Sequence, residues 1–440
     1  MKQDLLELAN SAVRTALASG ADACSVNAST DRFVEISYRE QKPETIKEAS
    51  TRGLLIRLYV EGRYSAQSTS DLRPDALKRF IGDAVQMTKL LAADPERTLP
   101  DPKYYEGRQA VDLDLVDPLQ QKLAAADRHE LVRVAEAACL AEGGTRVISA
   151  ASGWTDGCSE NLLVTSNGFE GYNESTYFSQ NVEMSLQDEG DRRPNGYDYA
   201  VAVRKADLPA PAAIGAAVVS RTRALLGAKK IKTETLPIIV ENRNVSRILG
   251  ALLQAMAGRA VQQKQSFLAD KQGQKIGSDL LTLIDDPFVP RGLGSRLYDA
   301  EGITARRRTM VEAGILKGFY VDWYYSRKLG GEPTTAGASN LIIPAGQRSV
   351  AEIMKDLGRG ILVTGFIGGN ANSTTGDFSA GIFGHLFENG ELTQAIAEMN
   401  IAGNTLDFWP KLVEVASDPW PYSSLRTPSL AFRDIVVSGI

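Results

Sequence analysis

Residues 160–187 read ENLLVTSNGFEGYNESTYFSQNVEMSLQ, and this stretch decides the fold class. Two strand-like runs flank the pair Asn167-Gly168. An Asn-Gly pair between such runs is the strongest short-range signal for a hairpin turn. The stretch therefore predicts two antiparallel strands joined by a tight turn.

The segments on either side of this hairpin complete a mixed unit. A helix is predicted from about Asp127 to Gly143, where Gly143-Gly144 ends it. Strands follow at 146–152, in the hairpin itself and at 197–204. A second helix, from about Pro211 to Leu226, closes the unit.

The first 92 residues repeat this order. An amphipathic helix ends at Gly20, and a later helix begins near Pro74. Strands between them are indicated by alternating apolar residues at Val34, Ile36, Tyr38, Leu54, Ile56, Leu58 and Val60. The sequence therefore predicts a duplicated α+β region, with units at about 1–92 and 119–228 of an N-terminal domain 1–228.

Residues 229–440 differ from the N-terminal domain in their predicted secondary structure. The segments 311–323 and 387–399 each read as a hairpin that turns at a glycine. Helical patterns are confined to 249–265 and about 349–359. We predict a β-rich, mostly antiparallel C-terminal domain with one prominent helix, and an α+β class for the whole chain.

Charge and cysteine content exclude several protein classes. The chain has 440 residues, 49 Lys and Arg against 54 Asp and Glu, and a formal net charge of −5. A general nucleic-acid binder would show a broad basic surface. The three cysteines do not form a disulfide framework or a cysteine-based zinc site. No secretory signal or membrane-spanning run is apparent, so we expect a cytoplasmic protein.

The small number of histidines restricts the possible catalytic mechanisms more than any other feature of the sequence. Only His129 and His385 are present, and no G-x-S-x-G elbow accompanies any serine. The Walker phosphate-loop pattern is absent as well. Asp285 and Asp286 are adjacent, so in extended chain they face opposite sides and cannot form an acid-base pair. Asp286, which precedes Pro287, is expected in a turn.

Three stretches together resemble the TldD/PmbA family, a metallopeptidase family once described as modulators of DNA gyrase. They are 283–322 (LIDDPFVPRGLGSRLYDAEGITARRRTMVEAGILKGFYVD), 374–393 (TTGDFSAGIFGHLFENGELT) and 401–404 (IAGN). The GDFS run followed by the ENGE hairpin is similar to the PmbA (TldE) branch. The resemblance covers essentially the whole chain.

In the catalytic TldD branch, a helix that follows a β-strand carries the metal-binding motif H-E-x-x-x-H. A cysteine from near the C-terminus is a further ligand of the metal. Here Gln254 occupies the position of the first His, Ala255 that of the Glu and Arg259 that of the second His. Gly258 is the same residue as in that branch, and Thr427 occupies the position of the cysteine. Gln is a poor ligand for a first-row metal, and Arg repels a dication. Loss of the Glu removes the base for a metal-bound water. The resemblance therefore implies vestigial metal-site positions and no metal or other cofactor in this chain.

The spacing of these positions has a geometric consequence. Residues five apart lie about 140° apart around a regular helix, so Gln254 and Arg259 converge only if the helix widens locally toward a π-type turn. We expect Gln254, Arg259 and Thr427 to lie near one another at a cleft, with a carboxylate, backbone carbonyls or solvent beside Arg259. Gly258, Asp377 and Ser379 are the candidate residues of a substrate cleft. A plain packing helix is the alternative.

The resemblance implies a PmbA/TldE-like subunit that acts in proteolysis of short or unfolded polypeptides. A TldD-type partner would carry the zinc, and peptide would bind as an extended strand. Alone, the chain is expected to form a homodimer, with no specific nucleic-acid or membrane partner. Two alternatives stay open: a homodimeric peptide-binding or chaperone-like module, and a hydrolase with an unrecognised site near Asp377 and Ser379.

Overall fold

The N-terminal half consists of two units with the same element order. The computed structural model describes residues 2–440. The first unit comprises α1 (Lys2–Ala18), β1 (Ala23–Arg39), β2 (Lys42–Val60), β3 (Arg63–Thr69) and α2 (Pro74–Thr88). The second comprises α3 (Ala125–Gly143), β4 (Val147–Thr165), β5 (Glu170–Leu186), β6 (Asn195–Ala202) and α4 (Pro211–Arg223). The predicted duplication of an α+β unit is confirmed.

The two units share one antiparallel sheet of six strands in the order β3-β2-β1-β4-β5-β6. Its centre is the pair β1–β4, which runs from Ser25 opposite Thr165 to Arg39 opposite Ala151. Apart from the register shifts near Ser37 and Val147, even-numbered residues face even-numbered residues across β1, β2, β4, β5 and β6, as Ile36 faces Trp154. Because alternate residues share a face, the buried even-numbered positions form one surface, on which the helices of both units pack.

The segment 92–118 ties the first unit to the C-terminal half. The carboxylate of Asp94 accepts a 2.7 Å hydrogen bond from the hydroxyl of Tyr324. The guanidinium of Arg97 lies between two rings, 4.7 Å from the centroid of Tyr64 and 3.4 Å from that of Tyr324. This segment is rich in Pro and Asp, and it contacts both halves of the chain.

The C-terminal half contains two sheets. The elements are β7 (Glu234–Val240), α5 (Val245–Ala255), α6 (Gly258–Gln262), β8 (Leu283–Asp286), β9 (Arg308–Glu312), β10 (Ile315–Leu316), α7 (Trp323–Leu329), β11 (Asn340–Ile342), α8 (Val350–Leu357), β12 (Arg359–Ala371), β13 (Asp377–Glu388), β14 (Glu391–Asn404), α9 (Thr405–Phe408), β15 (Leu412–Val415), β16 (Leu425–Arg426) and β17 (Leu430–Ser438). The strands form a five-stranded sheet, β10-β9-β8-β11-β16, and a six-stranded sheet, β14-β13-β12-β7-β17-β15.

The larger of these sheets closes on itself. Besides its neighbour β13, β14 pairs with β17 through Asn400 opposite Ser438 and Ile401 opposite Val437. Only β7–β12 and β11–β16 run parallel among the pairings of these two sheets. The main core of the chain lies here, and α5 contributes Leu249, Leu252 and Ala255 to it. The predicted β-rich, mostly antiparallel architecture is confirmed.

Asp285 and Asp286 point in different directions, as expected for adjacent residues of an extended chain. Asp285 is buried and accepts a 2.7 Å hydrogen bond from the backbone N–H of Ser339, while burial raises the pKa of its carboxyl. Asp286 points elsewhere, and its Oδ1 accepts from the N–H of Phe288 at 2.9 Å, as a turn residue does. The two carboxylates therefore hold different loops and do not face a common site.

Candidate functional site

The predicted helix over 249–265 is divided in two. α5 ends at Ala255, and α6 begins at Gly258. Between them the backbone pairs with Tyr320, whose N–H donates to the carbonyl of Met256 (2.9 Å) and whose carbonyl accepts from the N–H of Gly258 (2.7 Å). The expected π-type widening is therefore replaced by a break, because these strand-like bonds draw the chain out of the helix.

Glycine is needed at the break because the neighbouring chain comes close. A Cβ added at Gly258 would lie 3.1 Å from both the carbonyl oxygen of Tyr320 and the Cα of Val321. These are backbone atoms that cannot swing away as a flexible side chain would. Gly258 thus permits the contact that separates α5 from α6.

A first cavity of about 340 Å³ lies between α5 and the β12–β13 hairpin. Its walls include Gln254 from α5 and Ser379 from β13. The other walls are largely apolar and aromatic, with contributions from Ala251, Phe366, Phe378, Ala380, Ile401, Phe408 and Trp409. The structure thus brings together two of the predicted positions, Gln254 and Ser379, whereas Gly258 and Asp377 do not line this cavity.

A second cavity, of about 760 Å³, lies between the two halves of the chain. Its walls come from β6, α4, the start of α5, β12 and β13. Ser246, Arg247 and Phe366 line both cavities, so the two spaces adjoin there. We call the two cavities together the groove, and these three residues the junction.

Arg243 is the most densely contacted charge on the second cavity. Its guanidinium carbon lies 5.3, 5.1 and 5.0 Å from the ring centroids of Tyr197, Tyr199 and Trp420. Its Nη1 lies 2.6 Å from Oδ1 of Asp198. No single stretch of sequence predicts this cluster, because its members come from three distant segments. Only Tyr197 and Tyr199, two apart in one strand, offered a signal of a shared aromatic face.

The four vestigial metal-site positions do not form a ligand set. Gln254 is exposed on the first cavity, and Ala255 is buried in the core. Arg259 is also exposed, and its Nε lies 3.3 Å from Oε1 of Gln263. Of the three kinds of compensation expected beside Arg259, the structure has solvent, because the side chain is exposed. An amide, a methyl group and a guanidinium do not fit a first-row metal ion.

Thr427 lies at the other end of α5 from Gln254. It is buried, and its hydroxyl donates to the carbonyl of Asn242 at 3.1 Å, just before α5 begins. An eleven-residue helix is about 16 Å long. The expected meeting of Thr427 with Gln254 and Arg259 is therefore wrong. Thr427 directly follows β16, and the parallel pairing of β16 with β11 holds it at the start of α5.

Asp377 and Ser379 are held by asparagines. Asp377 is exposed, and hydrogen bonds from Thr375 and then Asn404 lower the pKa of its carboxyl. Ser379 Oγ lies 3.3 Å from Oδ1 of Asn400. Neither contact supplies a general base for the serine hydroxyl, which a hydrolase would need.

Both histidines make structural contacts. Nδ1 of His129 lies 3.0 Å from the hydroxyl of Tyr38 in the N-terminal half. His385 lines the second cavity, and its Nε2 lies 2.7 Å from the carbonyl of Ala224. Within residues 2–440, no group of three or more His, Cys, Asp or Glu side chains is arranged to hold a metal ion.

Comparison with known proteins identifies the family. Three domain models match in order: PmbA/TldA metallopeptidase domain 1 over residues 24–88, the central domain over 118–226 and the C-terminal domain over 233–439. The metalloprotease PmbA of Escherichia coli O157:H7 is 31% identical over 435 residues, which cover 97% of this chain and 95% of that protein. The chain belongs to the PmbA/TldD family.

Other relatives of the PmbA/TldD family agree along the full length. A PmbA homolog of Haemophilus influenzae is 29% identical and covers 100% of this chain and 97% of its own. A Bacteroides thetaiotaomicron structure, named as a candidate modulator of DNA gyrase, is 37% identical with a TM-score of 0.96, covering 99% and 98% of the two chains. The TldE structure of Thermococcus kodakarensis, at 23% identity, shares the fold with a TM-score of 0.88, over 98% and 100% of the chains.

Proposed function

We propose that this chain is the PmbA/TldE-like subunit of a two-component peptidase of the PmbA/TldD family. It binds short or unfolded polypeptides in the groove, and a TldD-type partner contributes the metal, which we expect to be zinc. We place this activity in the cytoplasm. The related proteins named metalloprotease PmbA support a peptidase role for the family, and a TldD homolog is 26% identical over 214 residues.

The observation that carries the proposal is the end of α5. Its last turn presents the amide of Gln254 to a cavity at the place where the resemblance puts a histidine ligand. The carboxylate position is Ala255, and Arg259 is directed to solvent. These side chains can donate and accept hydrogen bonds to a peptide, but they cannot activate a water molecule.

The β12–β13 hairpin supports binding of an extended chain. β12 pairs with β7 only from Ile361 to Val363, and its later residues pair on one side, with β13. The carbonyl of Gly368, on this later part, accepts from Arg247 of the junction. A strand edge beside an apolar cavity can bind peptide through backbone hydrogen bonds and hold side chains in the cavity.

The hydrolase alternative lacks such support. The contacts of Asp377 and Ser379 are with Thr375, Asn404 and Asn400, and none of them is a base. A homodimeric binding module without a partner would use the same groove, so it differs from our proposal only in what happens when the partner is present. The experiment must therefore compare the chain alone with the chain in the presence of the partner.

The test uses the full-length chain alone and mixed with a purified TldD-type subunit. Alone, we expect no stoichiometric zinc by elemental analysis, no peptide cleavage, and a melting temperature unchanged by chelator. Mixed, we expect chelator-sensitive cleavage of an unfolded peptide that exceeds the rate of either component. About one zinc per chain together with chelator-sensitive cleavage by the chain alone would refute the proposal. Absence of any effect on the partner would favour the binding module.

Two further proposals concern association. We expect a symmetric homodimer when the chain is alone, and light scattering that finds a monomer at micromolar concentration would count against it. Binding to duplex DNA should be weak and non-specific, because the chain carries a formal net charge of −5. A tight, sequence-dependent mobility shift at physiological salt would contradict this.

A further inference from the structure

The first cavity presents aromatic rings to a molecule that enters it. Phe366 on β12 and Phe378 on β13 line the cavity and are partly exposed. Phe408 lies behind them, with its ring centroid 5.3 Å from that of Phe378 in an edge-to-face arrangement. A further ring in the cavity can join this cluster, because aromatic pairs attract each other beyond the effect of the area that they bury.

The charge of the cavity favours a neutral ligand. Within residues 2–440, no Asp, Glu, Lys or His lines it, and the charge of Arg247 at its edge is already bonded to the carbonyl of Gly368. A charged side chain that entered the cavity would lose its hydration without gaining an opposite charge, which is costly. The polar residues of the walls are uncharged, namely Ser246, Gln254, Asn370, Ser379 and Thr405.

The size of the cavity fits one aromatic side chain. An apolar cavity of about 150 Å³ in another protein binds benzene, and the first cavity measures about 340 Å³. Gln254, Gly369 and Asn370 are exposed along its walls, so a ring can enter from solvent. Gly250 of α5 also lines the cavity, and a Cβ added there would meet nothing within 4 Å. The cavity therefore has room for Phe, Tyr or Trp.

An unfolded polypeptide supplies such a ring, whereas a folded protein rarely does. Apolar side chains are mostly buried once a protein is folded. This chain is an example, because Tyr197 is the only exposed Phe, Tyr or Trp among residues 2–440, and Tyr197 itself lines the second cavity. A second folded copy therefore has no other exposed ring for the first cavity. The ring must come from a segment whose side chains are free.

We propose that the first cavity selects unfolded polypeptides by one aromatic side chain. The polypeptide lies in extended form beside β12, and its ring enters between Phe366, Phe378 and α5. Neighbouring side chains of an extended chain point to opposite sides, so the residues next to the ring face away from the cavity and are not selected. This inference rests on the proposed function, because it names the side chain by which the groove recognises a polypeptide.

The test measures peptide binding to the full-length chain by isothermal titration calorimetry. One eight-residue sequence of Gly, Ser and Thr, blocked at both ends, is prepared with Phe, Leu, Ser or Glu at its fifth position. We expect the Phe peptide to bind at least about tenfold more tightly than the Ser peptide, because the ring is removed from water. It should bind about two- to tenfold more tightly than the Leu peptide, because of the contacts between rings. The Glu peptide should bind no more tightly than the Ser peptide.

Variants assign this preference to the first cavity. Gly250→Trp fills the cavity from α5 and should lower the affinity for the Phe peptide to that for the Ser peptide, whereas Gly250→Leu should remove part of the preference. Gly82→Trp is the matched control, because Gly82 lies in α2, away from the groove, and a Cβ there also meets nothing within 4 Å. This variant should keep the full preference. Circular dichroism and melting curves check that each variant is folded, and Gly250→Leu keeps the test decisive if Gly250→Trp is unstable.

The outcomes separate this inference from the proposed function. Equal binding of the Phe and Ser peptides overturns selection by a side chain and leaves peptide binding intact. Equal binding of the Phe and Leu peptides overturns the preference for an aromatic ring. A preference for Phe that survives unchanged in both Gly250 variants overturns the assignment to the first cavity. Failure of all four peptides to bind overturns the proposed peptide-binding function itself.

Discussion

Oδ2 of Asp156 lies 2.6 Å from Nε of Arg128, and Oδ1 of the same carboxylate lies 2.7 Å from Nη2. Both residues are buried, on β4 and α3. The carboxylate also accepts from Nε2 of Gln120 and Nε1 of Trp154, at 3.0 and 2.8 Å. A buried ion pair is tolerated when its remaining hydrogen-bonding positions are filled in this way.

Removing one member of this pair should be costly. Asp156→Ala leaves the Arg128 guanidinium buried without its counter-charge, and we expect a loss of about 3–5 kcal/mol in the free energy of unfolding. Glu130→Ala is the matched control, because it breaks the exposed Glu130–Arg133 pair on the same helix and should cost far less. Urea unfolding followed by circular dichroism measures both, and equal costs would contradict the assignment.

The break between α5 and α6 predicts a contrast between two glycines eight residues apart. Gly258→Ala places a methyl group against the backbone of Tyr320 and Val321, and should destabilise the chain by about 1–3 kcal/mol. A Cβ at Gly250, inside α5, meets nothing within 4 Å. Gly250→Ala should therefore stabilise the chain by up to about 1 kcal/mol. Melting temperatures that shift in the same direction would show that the break tolerates a side chain.

Glu301 should give the stability of the chain a pH dependence. Burial raises the pKa of its carboxyl to about 7, with a smaller contribution from Asp299 and Asp322, while Oε2 accepts from the N–H of Trp323. Because the folded-state pKa is raised, the stabilisation is complete below the ordinary value of 4.5 and is lost as pH rises to about 7.

Glu301→Gln removes this titration but keeps an acceptor for Trp323. At pH 8 we expect the variant to be more stable than the unmodified chain by about 1–2 kcal/mol, discounted because the side chain is only half-buried. Near pH 4.5 the difference should vanish. Chemical denaturation at both pH values measures it, and Glu332→Gln, on the exposed surface, is the control. A gain of the same size at both pH values would exclude Glu301 as the cause.

Arg97 should hold the connecting segment in place. Its guanidinium contacts the rings of Tyr64 and Tyr324, which belong to different halves of the chain. Arg97→Ala should cost about 1–2 kcal/mol and expose residues 92–118 to thermolysin, with cleavage sites identified by mass spectrometry. Lys122→Ala, just beyond the segment, should leave the cleavage pattern unchanged. If the Arg97→Ala variant resists thermolysin, other contacts are sufficient to hold residues 92–118 in place.

The fold could be predicted to the extent that its signals are local. The hairpin at Asn167-Gly168 needs only its own residues, and Gly168 adopts the positive φ of 106° that such a turn favours. The repeated order of helices and strands was also visible. The joining of both units in one sheet could not be predicted, because neither β1 nor β4 has a sequence feature that indicates its partner strand.

The site could be predicted only where a motif supplied the positions. The position of Gln254 on a cavity follows from a motif within one helix. The outward direction of Arg259 depends on backbone bonds between Met256, Gly258 and Tyr320, which are distant in sequence. The second cavity needs both halves of the chain to be in place. No pattern in a single segment encodes such a space.

The central pair β1–β4 has a consequence for synthesis on the ribosome. Ser25 pairs with Thr165, so 140 residues must be made before that contact can form. Until β4 has been made, the edge of β1 that it covers, from Ser25 to Arg39, is unpaired and open to association with other chains. Slow closure of so long a loop makes this chain a candidate for chaperone protection during translation. Pulse-labelled nascent chains shorter than about 165 residues should be more prone to aggregate than longer ones.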